Sequence, residues 1–166
     1  KVKGLNPDGI VIAGLYNEGG NVVREIRKQG LQQPIIGALG MSEAKFLEIA
    51  GPAGEGVMVV NPFWADNPEP KVAAWVETYK KSGKTPNNAA TLIYDSLFIT
   101  KQCIEKGGVT NKPDDLAKDR DRLKDCWTSV KDHPGITGTI SINADGDAVL
   151  EPFVLRVTRG KFDLVR

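Results

Sequence analysis

Residues 1–60 alternate short apolar runs with segments of helical periodicity, and this alternation constrains the fold more than any other feature. The apolar runs predict buried strands at residues 9–14, 34–37 and 56–60. Helices are predicted at residues 21–29 and 42–50, the first after a turn at residues 17–20 and the second with Ser42 as its N-cap. Strands and helices that alternate at this spacing form a parallel sheet with helices on its faces, which predicts an α/β fold.

The pattern after Pro62 is helical. Helices are predicted at residues 71–81, 88–106 and 113–131. The middle helix carries so many apolar residues that most of its surface requires burial. Its partner is either the small sheet of this chain or a part of the protein outside it, and we favour the second interpretation.

The final segment predicts β-structure again. Residues 138–142 and 148–150 flank Asn143-Ala-Asp-Gly-Asp147, and an Asp-Gly pair between two strand-like runs is a strong hairpin signal. Residues 154–158 are expected to continue the second strand of this hairpin. A last turn is predicted at residues 159–161.

Composition excludes some classes of partner. The 166 residues carry a net charge of +1, so no bulk charge predicts binding to nucleic acid or to a membrane surface. The sequence has no apolar run near the roughly 18 residues of a membrane-spanning helix. It shows neither a signal peptide nor an initiator Met, and we expect a processed or cut chain.

The two cysteines, Cys103 and Cys126, fit neither a zinc pattern nor a C-x-x-C redox pair. In strictly antiparallel helices they would be offset by about 10 Å, beyond the reach of a disulfide, whereas crossed or broken helices would close the gap. Two interpretations stay open: a disulfide, which implies an oxidising compartment, or two buried thiols.

Catalytic and metal-binding motifs do not occur. The sequence contains no G-x-S-x-G, P-loop, G-x-G-x-x-G or H-E-x-x-H motif. His133, the single histidine, is expected in a loop before a strand. The run Asn143-x-Asp145-x-Asp147 lacks the glycine placement and the closing Glu of a calcium loop. We therefore predict no enzyme, no cofactor and no metal.

Four segments together carry a resemblance to a known family. Residues 6–20 (NPDGIVIAGLYNEGG), 33–40 (QPIIGALG), 54–59 (GEGVMV) and 135–147 (GITGTISINADGD) are similar to the branched-chain amino-acid binding proteins of bacterial ABC transporters. These are type I periplasmic binding proteins, with two α/β lobes and a ligand cleft between them. The resemblance assigns residues 1–62 and 135–166 to the second lobe and the helices of residues 63–134 to the first. It places the first-lobe core strands in a missing N-terminal half, so the chain is expected to be an incomplete two-lobe protein.

The same resemblance implies a function. It predicts a periplasmic or membrane-tethered extracytoplasmic protein that captures a small organic solute and delivers it to membrane permease subunits. The alternative is the ligand-sensing ectodomain of a membrane receptor with the same fold. A third reading is an enzyme whose catalytic residues lie in the missing half.

Ligands of open α/β sheets sit beyond the carboxyl ends of the strands, which nominates the residues that follow the predicted strands. Three of these residues have a structural interpretation that competes with ligand contact. Tyr16 would be an aromatic lid on the sheet, Glu18 a helix-start carboxylate and Gly40 a turn glycine. Further candidates are residues 87–88 as an anion site and Trp64 at the cleft rim, and Tyr94 is a weaker candidate. The predicted ligand-binding residues are Leu15, Tyr16, Asn17, Glu18, Ala38, Leu39, Gly40 and Phe63.

The sequence departs from the family at two of these positions. Relatives that bind leucine-type amino acids place an acidic residue after the second strand, and Leu39 stands there in this chain. The tyrosine expected at the end of the first strand is Leu15, with Tyr16 one place later. Because leucine cannot replace a carboxylate that holds an ammonium group, we hypothesise that the ligand is not a simple aliphatic amino acid. An apolar or aromatic carboxylate, or an amide, is expected instead.

Overall fold

The computed structural model describes residues 2–165, which form two compact units. The sheet unit comprises the residues up to Trp64 together with those from Pro152 onwards, and the helical unit comprises Ala65–Glu151. The helices are α1 (Val2–Leu5), α2 (Tyr16–Lys28), α3 (Ala44–Ala50), α4 (Pro70–Lys80), α5 (Asn88–Lys106) and α6 (Leu116–Thr128). The strands are β1 (Ile10–Ile12), β2 (Ile35–Gly37), β3 (Met58–Asn61), β4 (His133–Gly135), β5 (Gly138–Ile142), β6 (Ala148–Val149), β7 (Phe153–Thr158) and β8 (Lys161–Leu164).

The sheet unit contains a five-stranded sheet in the order β1-β2-β3-β7-β8. Strands β1, β2 and β3 are parallel, with Ile10 opposite Ile35 and Gly37 opposite Val59. Strand β7 pairs antiparallel with β3, and β8 pairs antiparallel with β7. The parallel part confirms the α/β prediction.

One face of this sheet is buried against α2 and α3. Alternate strand residues point to opposite faces, and Ile35, Val59 and Leu155 belong to the buried set. The rings of Phe46 in α3 and Phe162 in β8 stack with centroids 6.3 Å apart. The buried core residues of the unit are Val23, Ile35, Met41, Phe46, Ala50, Val57, Val59, Leu155 and Val157.

The opposite face of the sheet leaves apolar side chains exposed, so the prediction of wholly buried strands was wrong. Val11 is 79% exposed, and Ile36, Val60 and Val154 are also exposed. Val11 lies beside Ile36 in register, and Val60 lies beside Val154. Helices of the described chain therefore cover this face less well than the sequence pattern predicted.

The bounds of three helices differ from the prediction. Helix α2 begins at Tyr16, because the predicted turn at residues 17–20 forms its first turn. Helix α3 begins at Ala44, and Ser42 is not its N-cap, because the Ser42 hydroxyl donates to the carbonyl of Leu39 at 2.6 Å. The predicted helix at residues 113–131 is shorter, since Pro113–Asp115 form a 3-10 turn and α6 ends at Thr128.

The helical unit combines α4, α5 and α6 with the antiparallel sheet β4-β5-β6. Helix α5 has the bounds predicted from sequence, and the Asn87 side chain caps it by accepting a hydrogen bond from the Ala90 amide at 3.0 Å. A disulfide joins Cys103 of α5 to Cys126 of α6, with the two Cα atoms 5.6 Å apart. Of the two open interpretations of these cysteines, the structure thus shows the disulfide.

The C-terminal segment is divided between the two units. The hairpin β5–β6 is confirmed, with Ser141 opposite Val149. Residues 154–158 do not continue it, because they form β7 of the other sheet. Residues 135–151 were expected with the sheet unit but belong to the helical unit. There Ile140 and Ile142 are buried with Ile99 of α5. His133 lies in β4 and not in a loop.

Candidate ligand-binding site

The carboxyl ends of β1 and β2 lie side by side at one edge of the sheet unit. The Ala38 amide donates a hydrogen bond to the carbonyl of Ile12 at 3.0 Å, which joins the two strand ends. A Cβ atom on Gly40 would lie 2.9 Å from the Gly14 oxygen and 2.8 Å from Leu15 Cδ2. Only a glycine at position 40 permits this approach. The structure therefore brings two of the predicted ligand-binding segments together.

The side chains that these segments present are apolar. Leu15 is 62% exposed and Leu39 is 38% exposed, and Tyr16 and Ala38 are exposed as well. Large apolar side chains exposed beyond the strand ends form the kind of surface that binds a small apolar group. We call the surface of Leu15, Tyr16, Ala38 and Leu39 the strand-end wall.

Asn17 and Glu18 lie on the first turn of α2, and both are exposed. The Asn17 carbonyl accepts a hydrogen bond from the Asn21 side chain at 2.9 Å. The Glu18 carboxylate stands where it favours the helix dipole, which agrees with its structural role. Contact of either side chain with a ligand stays a prediction.

Phe63 is placed differently from the other predicted residues. It follows β3 but is only 3% exposed, and its amide donates to the side-chain oxygen of Asn61 at 2.9 Å. The structure therefore does not bring Phe63 onto the strand-end wall. Trp64 packs on the core, with its ring 6.2 Å from that of Phe153.

Met41 fixes the loop that carries Ala38 and Leu39. Its side chain is completely buried, and a Cβ atom on either Gly19 or Gly37 would lie 2.7 Å from it. Gly19 therefore lets α2 approach the loop, and Gly37 leaves room at the end of β2. A Gly-Gly pair at the start of an amphipathic helix was the available signal for this packing, but the local pattern favoured a turn.

Charge near the strand-end wall is sparse. In residues 13–18 and 38–41 the only acidic side chain is Glu18. On α3, Lys45 forms an ion pair with Glu48 at 2.5 Å. The hydrogen bond and charge of Glu48 raise the pKa of Lys45, and Tyr16 adds a smaller contribution in the same direction. The wall is thus largely uncharged.

Comparison with known proteins identifies the family of this chain. The family model described as periplasmic binding protein matches residues 1–161. The chain belongs to this family. The leucine-specific-binding protein of Salmonella typhimurium is 31% identical over 114 residues, which cover 69% of this chain and 31% of that protein. The Leu/Ile/Val-binding protein homolog 2 of Brucella abortus is 27% identical over 159 residues, which cover 93% of this chain and 39% of that protein.

Solved structures show the same relation. The crystal structure of the leucine binding protein LivK from Thermotoga maritima superposes with a TM-score of 0.83 and 29% identity. The match covers 99% of this chain and 45% of that one. The type I fold expected from the resemblance is thus confirmed as a partial fold. The chain spans roughly a third of its curated relatives and under half of LivK.

The helical unit of this periplasmic binding protein contains a buried carboxylate that the sequence analysis missed. Asp95 of α5 accepts hydrogen bonds from the Ile136 amide at 2.7 Å, the Thr137 amide at 2.9 Å and the Thr137 hydroxyl at 2.7 Å. A Cβ atom on Gly135 would lie 2.6 Å from an Asp95 oxygen, so the turn between β4 and β5 requires this glycine. Asp95 therefore holds that turn on α5. The signal was an acid within the apolar first half of α5, whereas Glu105, the other acid of this helix, lies in its last turn.

The helical unit also has an open apolar groove of about 820 Å³ between α4 and α5. Trp75 stacks on Tyr79 with ring centroids 4.9 Å apart and meets Tyr94 edge-on at 5.8 Å. Ile93 and Leu97 of α5 line the groove and are exposed. The apolar side chains of α5 are thus only partly buried within the helical unit.

Residues 2–165 contain no candidate metal site and no candidate membrane-spanning helix. Within this range there is no group of three or more His, Cys, Asp or Glu side chains that could hold a metal ion. In the β5–β6 turn, the Asn143 side chain accepts hydrogen bonds from the amides of Asp145 and Asp147. None of the helices described here has the length and apolar content needed to cross a membrane.

Proposed function

We propose that this chain is part of an extracytoplasmic solute-binding protein that captures a small organic solute for an ABC transporter. The observation that carries the proposal is the strand-end wall, which exposes Leu15, Tyr16 and Leu39 beyond the ends of two paired parallel strands. Membership of the periplasmic binding protein family supports it. The names of the relatives, which bind leucine, isoleucine or valine, support an amino-acid-sized ligand.

Capture by such a wall follows from elementary energetics. An apolar ligand surface removed from water contributes about 25 cal/mol per Å², and one flat wall buries only part of a small solute. A second wall from the rest of the protein, brought in by hinge closure, would enclose the solute and delay its release. We propose that residues outside this chain supply that wall.

Two exposed apolar faces support the proposal that an N-terminal half of the protein lies outside this chain. On the sheet unit they are the side chains of Val11, Ile36, Val60 and Val154, and on the helical unit those of α5 around Ile93. Exposed apolar patches of this kind mark surfaces that another segment covers. Since the chain spans 45% of LivK, the remaining length of such a protein is enough to cover both. We assign residues 1–62 to the second lobe and the helices of residues 63–134 to the first, and residues 135–151 to the lobe of those helices.

The Cys103–Cys126 disulfide supports the proposed location. Disulfides persist in oxidising compartments such as the periplasm and are rare where thiols are kept reduced. A periplasmic or membrane-tethered extracytoplasmic protein fits this chemistry. Permease subunits are the proposed partners there.

Native mass spectrometry of the complete protein that contains this chain tests the proposal. A bound solute should appear as a small extra mass that is lost on denaturation and is recovered chemically unchanged. Recovery of an altered product on incubation would favour an enzyme instead. A protein that carries no solute, and binds none from a metabolite library, would contradict the proposal.

A pair of variants tests the place of the site. Leu15→Asp puts a charge on the strand-end wall and should abolish solute binding. Leu5→Asp is the matched control, since Leu5 is an exposed leucine of the same unit that precedes β1 and lies outside the wall. Equal loss of binding in both variants would show that the wall is not the site.

A further inference from the structure

We infer that the strand-end wall selects solutes that carry no ammonium group where they meet it, namely apolar or aromatic carboxylic acids or their amides. This inference rests on the proposed solute-binding function. It separates this chain from the named relatives, whose ligands are amino acids.

The side chains of the wall offer no counter-charge to a cation. Leu15, Ala38 and Leu39 are apolar, and Tyr16 contributes a neutral phenol. Leu39 follows directly after the paired end of β2 and is 38% exposed, so an enclosed ligand would meet a leucine there. An ammonium group enclosed in a site needs a carboxylate or several strong acceptors to replace its water.

The backbone carbonyls of the wall are already engaged. The Leu39 carbonyl accepts hydrogen bonds from both the hydroxyl and the amide of Ser42, at 2.6 and 3.1 Å. The Ala38 carbonyl accepts from the Met41 amide at 2.9 Å, and the Leu15 carbonyl accepts from the Gly19 amide at 2.8 Å. These oxygens hold the loop and the start of α2 in place, so they are poor substitutes for a carboxylate.

Glu18 is the one acid in these segments that competes with this inference. It lies on the first turn of α2, where its charge favours the helix dipole, and its side chain is exposed. If Glu18 instead served a ligand ammonium, Glu18→Gln would abolish amino-acid binding. Tight binding of an amino acid that Glu18→Gln abolishes would therefore overturn the inference.

The decisive measurement compares ligands of one carbon skeleton by titration calorimetry on the complete protein. The probes are leucine, 4-methyl-2-oxopentanoate and 4-methylpentanamide, and in the aromatic series phenylalanine, 3-phenylpropanoate and 3-phenylpropanamide. We expect the best acid or amide to bind at least about 100-fold more tightly than the matching amino acid, since an unpaired enclosed cation is strongly unfavourable. Leucine or phenylalanine as the tightest ligand would overturn the inference.

The substitution Leu39→Glu provides a gain-of-binding test. It should raise the affinity for leucine by about tenfold or more and weaken binding of the acids, by placing a carboxylate on the wall. Leu39→Gln has the same length without the charge and should not raise leucine affinity. A gain of leucine binding in Leu39→Gln, or none in a folded Leu39→Glu, would count against the inference.

Failure of the inference is distinguishable from failure of the proposed function. If no probe binds, the solute recovered by native mass spectrometry decides: one with an ammonium group overturns the inference, and one without it supports the inference. If no solute is recovered and none binds, the solute-binding function itself is wrong. Circular dichroism of each variant separates loss of binding from loss of folding.

Discussion

The two units of the chain are stabilised in different ways. The sheet unit buries a cluster of nine core residues between one sheet face and two helices. The helical unit buries one cluster of Ile99, Cys103, Ile140 and Ile142 and, besides it, Val72, Val76 and Ile136, and it adds a disulfide and the hydrogen bonds of Asp95. The sheet unit thus relies on packing, and the helical unit adds a cross-link and a buried carboxylate to its packing. The two should respond differently to the same kind of mutation.

The largest effect is expected from Asp95→Ala in the helical unit. The change leaves the amides of Ile136 and Thr137 and the Thr137 hydroxyl without their acceptor. Loss of a buried carboxylate with three donors should lower the free energy of unfolding by about 5 kcal/mol. Denaturant unfolding measures the loss, and hydrogen exchange should locate it at Ile136 and Thr137.

Asp95→Asn is the matched control because it keeps the shape and one acceptor oxygen. It should destabilise the unit by less than Asp95→Ala. If both variants unfold like the wild type, the turn between β4 and β5 does not depend on Asp95, and the contrast between the units is wrong.

Phe46→Ala should produce the largest effect in the sheet unit. Phe46 is completely buried and stacks with Phe162. Removing a buried phenyl ring leaves a cavity, with an expected loss of about 4 kcal/mol in the free energy of unfolding. The amides of β3 and β7 should lose protection while those of Ile136 and Thr137 keep it. Uniform loss over the whole chain would contradict the separate accounts of the two units.

Reduction of the disulfide should affect the helical unit alone. Cys103 and Cys126 are 23 residues apart in sequence, and a cross-link over a loop of this length contributes about 3 kcal/mol by restricting the unfolded chain. Adding a thiol reductant should lower the melting temperature of the wild type. The variant with both cysteines changed to Ser should melt at that lower temperature and show no response to reductant.

Local sequence signals correctly predicted the helices and hairpins that are determined by residues close in sequence. Helix α5 was predicted with its observed bounds from its apolar helical pattern, and in the structure the Asn87 cap and Gly107 mark its two ends. The hairpin β5–β6 was predicted because the Asp-Gly turn lies between its strands. The start of α2 was missed because Gly19 and Gly20 are required by tertiary packing and not by a local turn. A Cβ atom on Gly19 would contact Met41, and one on Gly20 would contact Ile49.

The candidate site could be predicted only in part for the same reason. The rule that ligands lie beyond strand ends nominated Leu15 and Leu39, and the structure brings their segments together. The rule could not show that Phe63 is buried, because it considers only the position of a residue after a strand. Asp95 was missed because its partners are 41 and 42 residues away.

Gly19→Ala tests how tightly the sheet unit is packed. An added methyl group would lie 2.7 Å from the Met41 side chain. Overpacking of about 2 kcal/mol, offset by about 1 kcal/mol of improved helix propensity, should lower the stability by about 1 kcal/mol. Gly4→Ala in α1 is the control, since nothing lies within 4 Å of its added Cβ, and it should not destabilise the unit. A neutral Gly19→Ala would show that the Met41 loop adapts.

The smallest effect is expected from a pH change acting on Asp119 in the helical unit. Burial alone would raise the pKa of its carboxyl, but hydrogen bonds from the amides of Thr110 and Asn111 and from Arg122 outweigh it and lower the pKa. A lowered folded-state pKa means that the stabilisation is complete above the unfolded pKa of about 3.9 and is lost as the pH falls through the folded value. Stability should therefore fall on acidification below about pH 4. Asp119→Asn should be less stable than the wild type at pH 6, and the difference should shrink as the pH falls towards 2. A difference that stays constant over this range would show that Asp119 contributes through its shape and not through its charge.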